Sequence, residues 1–254
     1  MERWIGKVAI VTGASSGIGE VIAEALVKLG MQVVGLARRE DVVEANAKRL
    51  AALAKNGGKL HGVKCDMTSE SDILQAFAWT IKNVGPVHVL VNNAGVLRGN
   101  NLIDGDTNKW RQMIDTNFLG LCIATREACK IMMANDIPGH IIHINSITGH
   151  YHLHCPSVGI YGATKHAVTN VTDILRQELA GNHSQIKVTS ISPGAVKTAI
   201  IKDESNSSPQ LLAVLKDGPL LESEDILNAV LYVLGTPPRV HINEITLRAT
   251  GSPC

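Results

Sequence analysis

Long apolar runs are missing from this chain of 254 residues. No stretch approaches the ~20 apolar residues that a membrane-spanning helix needs, and the opening Met1-Glu2-Arg3-Trp4-Ile5-Gly6-Lys7 lacks the apolar segment of a secretory signal. The expectation is a soluble, cytoplasmic protein with no integral membrane segment. Charge of one sign is missing as well: 24 Lys+Arg against 23 Asp+Glu leave a net charge of +1, with no basic stripe and no cluster of base-stacking aromatics. Nucleic acid and acidic membranes therefore have no electrostatic basis as partners, which leaves small-molecule chemistry. The five cysteines (Cys65, Cys122, Cys129, Cys155, Cys254) are odd in number and never spaced C-x-x-C, against a disulfide framework or a zinc knuckle. No linker rich in Ser, Pro or Gly and no charge block divides the chain, so a single domain over 1–254 is expected.

What is present is an alternation of short β-branched runs with longer helical stretches, the pattern of βα units that build a parallel sheet. Seven strands are predicted: Val8 to Val11, Gln32 to Ala37, Leu60 to Lys64, Val87 to Val91, His140 to Asn145, Lys187 to Ile191 and Ile242 to Leu247. Several are apolar enough to be buried on both faces. Helices are predicted over Gly17 to Leu29, Val42 to Asn56, Glu70 to Asn83, Asn108 to Asn135, Tyr161 to Ala180 and Glu222 to Leu234. The fold class is α/β: a doubly wound Rossmann fold, with a seven-stranded parallel sheet and helices on both faces.

The first strand runs into Thr12-Gly13-Ala14-Ser15-Ser16-Gly17-Ile18-Gly19 and then a helix, the context a dinucleotide fingerprint requires. Gly13 would allow the tight turn, Gly17 a close backbone approach to pyrophosphate, and Gly19 close helix packing. The helix N-terminus supplies free N–H groups, and Ser15 and Ser16 add hydroxyls beside Ile18. The second strand ends Ala37-Arg38-Arg39, where a binder of NAD would want a carboxylate for the adenosine ribose. A guanidinium suits a ribose phosphate instead, so Arg38, with Arg39 beside it, points to NADP in preference to NAD. Against this, both arginines could pair with Glu40 and Asp41 on the surface.

Tyr161 and Lys165 share one helix face at a spacing of four. An ammonium one turn from a phenol favours the phenolate and brings its proton transfer toward neutral pH, which makes a general acid/base. The same spacing also occurs on plain solvated helices.

Taken together, Thr12 to Gly19, Asn92-Asn93-Ala94-Gly95, Asn117, Ser146, Tyr161-x-x-x-Lys165 and Pro193-Gly194 resemble the short-chain dehydrogenase/reductase superfamily in its compact branch, over essentially the whole chain. Further likeness lies in Met1 to Trp4, Val33 to Arg38, His143 to Ser146 and Thr236 to Ile242. These segments resemble the branch that contains dehydrogenase/reductase member 11 and the NADP-dependent farnesol dehydrogenases of insects.

The resemblance implies a cofactor-binding part at about 6–195 and a substrate lid at about 199–219. It implies that Asp66, with the Met67 backbone, meets adenine, that Asn93, Ala94 and Gly95 close over the adenosine side, and that Pro193, Gly194, Val196 and Thr198 surround the nicotinamide. Ser146 would hold the substrate oxygen, Tyr161 would move the proton, Lys165 would lower the tyrosine pKa and bind the nicotinamide ribose, and Asn117 would position a water chain toward Lys165. Each also has a local reading: Ser146 as a helix cap, Asn117 as a buried helix kink, Asn92 and Asn93 as turn formers. No metal is required. If extended, His150-Tyr151-His152-Leu153-His154-Cys155 would place three imidazoles on one side, yet no acidic residue accompanies them, and pocket walls or surface histidines are preferred. That stretch, with Cys155 and Val158, and the 199–219 lid with its apolar Leu211 to Leu215, would set substrate choice. The implied substrate is an apolar alcohol or carbonyl, such as farnesol or another isoprenoid alcohol, with ketosteroids, ecdysteroids and retinoids as alternatives. A non-catalytic NADP-binding protein would be expected to have lost part of the Asn117, Ser146, Tyr161, Lys165 set. In the family the Asn108 to Asn135 and Tyr161 to Ala180 helices pack in a homodimer or homotetramer; Cys122 and Cys129 fit either that interface or the core.

Overall fold

The computed structural model describes residues 1–54, 56–99, 101–152, 158–198 and 218–252. Strands β1 (Val8–Thr12), β2 (Gln32–Ala37), β3 (Lys59–Lys64), β4 (Val87–Asn92), β5 (His140–Ile144), β6 (Lys187–Pro193) and β7 (Glu244–Leu247) form one parallel sheet in the order β3-β2-β1-β4-β5-β6-β7. The helices are α1 (Gly17–Lys28), α2 (Glu40–Leu50), α3 (Glu70–Asn83), α4 (Thr107–Ile114), α5 (Gly120–Ala134), α6 (Gly159–Gly181) and α7 (Ser223–Gly235).

Period-two alternation in a buried strand feeds two cores. In β1, Ala9 and Val11 pack with Ile22 and Leu26 of α1, Val43 of α2 and Val230 of α7, while Ile10 packs with Phe77 of α3, Ile131 of α5 and Leu179 of α6. The expected doubly wound α/β sandwich is thus the fold, with helices on both faces. The strand order reverses between β1 and β4, so a crevice opens beyond their C-terminal ends.

Three boundaries differ from expectation for physical reasons. The second helix stops at Leu50 and cannot reach Asn56, because Asn56 (φ 53) and Gly57 (φ 74) are left-handed. The long helix predicted from Asn108 is interrupted by a π-helical turn over Asp115–Leu119. The last strand begins at Glu244 rather than Ile242, since the Ile242 carbonyl accepts the Thr189 hydroxyl (2.6 Å) instead of a ladder donor.

Candidate active site

Thr12, the last residue of β1, ties the crevice together. Its hydroxyl oxygen accepts the backbone N–H groups of Asn93 (3.0 Å) and Ala94 (2.9 Å), and its carbonyl accepts the Asn93 amide (2.9 Å). The glycine turn is thereby pressed onto the β4 end. Gly13 has φ +70, and a Cβ there would lie 3.0 Å from the Ala94 Cα; a Cβ on Gly19 would come within 2.4 Å of Asn93 Nδ2 and 2.5 Å of the Gly13 oxygen. Only residues without a Cβ leave the turn and the start of α1 this close.

The cleft has a volume of about 760 Å³. Of the residues singled out in the sequence, Gly13, Ser15, Ser16, Gly17, Ile18, Arg38, Arg39, Asp66, Met67, Asn93, Ala94, Gly95, Ser146, Tyr161, Lys165, Pro193, Gly194, Val196 and Thr198 line it. Gly19 and Asn117 stand behind its wall. A dinucleotide fits such a cradle, long, glycine-floored and open past the β1 and β4 ends.

At the β2 tip, Arg39 donates to the Ser15 hydroxyl (3.2 Å), and Arg38 is exposed. Neither arginine pairs with Glu40 or Asp41 among the described residues. Asp66 accepts both the N–H and the hydroxyl of Thr68 at 2.9 Å, an Asx turn that fixes its carboxylate at the cleft edge.

Asn117 lies in the π turn and is 1% exposed. Its amide oxygen accepts Val96 N–H (2.7 Å), and its amide nitrogen donates to the Val96 carbonyl (2.9 Å) and the Thr164 hydroxyl (3.2 Å). Thr164 in turn donates to the Tyr161 carbonyl (2.7 Å), so Asn117 joins the β4 loop to α6. Both sequence readings of this residue meet here: it marks a helix irregularity, and the irregularity sits behind the site.

Ser146 likewise serves two ends. Its oxygen accepts the Thr148 N–H (3.1 Å) and hydroxyl (2.9 Å), capping the short 3₁₀ turn Ile147–Gly149, and it hydrogen-bonds the Tyr161 side chain. With both lone pairs taken, the Ser146 hydrogen is the group left to offer toward Tyr161. Lys165 is buried and donates to the Ile144 carbonyl (2.9 Å), its ammonium 5.8 Å from the Tyr161 ring centroid. Burial pushes the Tyr161 phenol up to about 12, opposed by the Ser146 hydrogen bond, and pushes Lys165 down to about 8. Desolvation thus dominates the Tyr161 phenol in the protein alone.

His150 and His152 face different partners. His150 meets Ser192 (3.0 Å) and Glu244 (3.2 Å), His152 stacks on His166 (5.0 Å between centroids, 11°) and lines the cleft, and His154 and Cys155 lie outside the described residues. A 3₁₀ turn ending at Gly149 replaces the extended start that the alternate spacing assumed. Of the predicted lid, 199–217 lies outside the described residues; its flanks are joined where Lys197 N–H meets the Leu221 carbonyl (2.8 Å) and Leu221 N–H meets the Ala195 carbonyl (2.9 Å).

Sequence reasoning missed lining residues such as Leu97, Thr148, Leu220, Ala249 and Ser252. Leu97 and Thr148 each follow a recognised motif by two residues, a signal that could have found them. Leu220, Ala249 and Ser252 carry none. Cys122 and Cys129 are half-buried and line a separate groove of about 360 Å³ between α5 and α6. Burial raises both thiols, Cys129 to about 11.

Comparison with known proteins agrees with this geometry. The family model for short chain dehydrogenase matches residues 7–208. The chain is 50% identical to a farnesol dehydrogenase of Aedes aegypti, covering 99% of each, and 45% identical to dehydrogenase/reductase SDR family member 11 of Gallus gallus, covering 98% of each. Solved structures of this shape hold NADP in some cases and NAD in others. One, the alcohol dehydrogenase of the archaeon Thermococcus sibiricus complexed with 5-hydroxy-NADP, superposes with a TM-score of 0.82 at 26% identity, covering 96% of this chain and 97% of that one.

Proposed function

The chain belongs to the short-chain dehydrogenase family, and we propose that it is an NADP(H)-dependent oxidoreductase that interconverts an apolar alcohol and its aldehyde or ketone. Farnesol or another isoprenoid alcohol is the favoured substrate. The observation that carries this reading is the convergence of Ser146, Tyr161 and Lys165, from two different elements, on one wall of the cleft.

In the oxidation direction the Tyr161 phenolate accepts the alcohol proton while the Ser146 hydroxyl donates to the same oxygen. In reduction Tyr161 returns the proton. The nicotinamide supplies the hydride acceptor or donor. Lys165 is protonated below about 8 and offers its charge to the forming phenolate. At about 6 Å and an effective dielectric of ~20 that charge is worth about 3 kcal/mol, roughly two pKa units. The positive nicotinamide of the oxidised cofactor would also favour the phenolate. Both side-chain ends of Asn117 are engaged, and in this reading it holds the Val96 loop against Thr164 of α6 behind the site.

Arg38, exposed at the β2 tip, and Arg39, held by Ser15, would take the ribose phosphate of NADP. The relative's name supports farnesol, and apolar Val96, Leu97, Val158 and Leu220 along the cleft suit a hydrocarbon tail. Exposed Leu119, Met133 and Ile174 around the α5–α6 groove suit a homodimer or homotetramer formed through these helices. A cytoplasmic location fits the absence, among the described helices, of one long and apolar enough to cross a membrane.

The test is the change in NADPH absorbance over a panel of isoprenoid alcohols and aldehydes, ketosteroids, ecdysteroids and retinoids, repeated with NADH. Fastest turnover of farnesol or its aldehyde with the NADP couple is expected; a steroid or retinoid turned over faster, or equal use of NADH, overturns the substrate or the cofactor assignment respectively.

A further inference from the structure

The reaction proposed above needs Ser146 and Tyr161 to reach one substrate oxygen, yet they stand on different elements. Tyr161 is fixed within α6, whereas Ser146 sits on the turn that follows β5. Helix geometry relates Tyr161 to Lys165 but says nothing about Ser146. Something must hold the Ser146 turn against α6.

Two cross-links do so. One is the Lys165 bond to the Ile144 carbonyl (2.9 Å). The other is the Thr169 hydroxyl, one turn beyond Lys165 on the same helix. Thr169 Oγ1 accepts the Asn145 amide N–H (2.8 Å) and lies 3.0 Å from the Gly149 carbonyl, to which it donates. The Lys165 carbonyl, at 3.3 Å, is the weaker alternative acceptor. Asn145 immediately precedes Ser146, and Gly149 closes its 3₁₀ turn, with Gly149 N–H donating to the Ser146 carbonyl (2.9 Å). Both ends of the Ser146 turn therefore converge on a single hydroxyl.

The fit leaves no slack. A Cβ on Gly149 would lie 2.8 Å from Asn145 Nδ2, the Lys165 oxygen and Thr169 Oγ1 alike. Asn145 is 3% exposed, and its amide oxygen has no partner among the described residues, so its side chain is held through the bond to Thr169. We propose that Thr169 is a positioning residue for catalysis: through Asn145 and Gly149 it sets where Ser146 stands relative to Tyr161. It touches no reacting atom itself. The inference rests on the alcohol oxidoreductase reading.

Thr169→Val keeps the shape and removes the hydroxyl. With farnesol and NADP⁺, its kcat is expected to fall about thirtyfold while the KM for NADP⁺ stays within about threefold, because misplacing a transition-state donor costs turnover more than cofactor binding. The Ser146 hydrogen bond lowers the Tyr161 pKa, so the pH limb of alcohol oxidation should also move upward in Thr169→Val. Thr169→Ser should restore both. If Thr169→Val does not fold, Asn145→Ala breaks the same link from the other side and is read by the same kcat and pH limb. A variant with lowered Tm but unchanged kcat and unchanged pH limb overturns the positioning role. Tyr161→Phe, measured in parallel, separates the two failures. Near-normal turnover in Tyr161→Phe overturns the oxidoreductase reading itself, whereas an inactive Tyr161→Phe beside a fully active Thr169→Val overturns only the clamp.

Discussion

Lys165 donates to the Ile144 carbonyl at 2.9 Å while its ammonium stands 5.8 Å from the centre of the Tyr161 ring. It is held by the end of β5 and faces the phenol without bonding it. The carbonyl keeps the ammonium at a fixed distance from the ring.

In the proposed reaction, Tyr161→Phe removes the group that moves the proton. Turnover is expected to fall by about a thousandfold or more, the scale of general acid/base catalysis, with cofactor binding retained. Steady-state kinetics together with fluorescence titration of NADPH check both halves.

Lys165→Met should shift the pH limb of alcohol oxidation upward by about two units. The sign follows from charge: oxidation needs the phenolate, a nearby cation favours it, and removing that cation raises the phenol pKa. A limb that stays in place would show that Lys165 does not act on Tyr161.

Arg38→Ala should lower kcat/KM for NADPH by about tenfold to a hundredfold, as for a lost charge-assisted contact to phosphate, and leave NADH nearly unchanged. A strong preference for NADPH surviving in this variant contradicts the phosphate assignment.

Acid should destabilise the protein through two buried histidines. His143 Nδ1 donates to Thr172 (2.8 Å), whose own hydrogen goes to the Val168 carbonyl, and His143 Nε2 faces Thr125 (3.3 Å). His140 bonds Thr189 (2.8 Å), and its Nδ1 has no partner among the described residues. Burial pushes both down to about 3. A neutral imidazole is favoured by folding, so its stability contribution is complete above pH 6.5 and is lost as pH falls toward 3. Each such group adds a slope of about 1.4 kcal/mol per pH unit in that window. Urea unfolding from pH 7 to 4 should show this slope, and His140→Gln should remove about one proton from it.

Gly19→Ala should cost about 2–3 kcal/mol through overpacking, read as a Tm loss of ~5–10 °C, and should weaken NADPH binding. Gly159→Ala is the control: nothing among the described residues lies within 4 Å of the Cβ it would add. Its Tm should stay near that of the unaltered protein.

The fold was legible in the sequence because a buried parallel strand is written as a continuous β-branched run, and six of the predicted strands begin within one residue of where they stand. Two long helices were misjudged for local reasons. Beyond α2 the backbone turns left-handed at Asn56 and Gly57 as Gly58 packs on Val27, and Asn117 in the π turn bonds Val96 and Thr164, partners 21 and 47 residues away. Neither contact leaves a periodic trace.

For the site, the sequence by itself determined the chemistry: a glycine turn after the first strand, arginine where a carboxylate could stand, and Tyr161 with Lys165 at a helical spacing. These are local patterns, fixed by residue type and short separations along the chain. Only the tertiary structure decided how far burial raises Tyr161, that His150 and His152 part company, and that one hydroxyl at Thr169 gathers both ends of the Ser146 turn. Desolvation and convergence come from elements brought together by folding, and separations of that kind are not encoded in neighbouring residues.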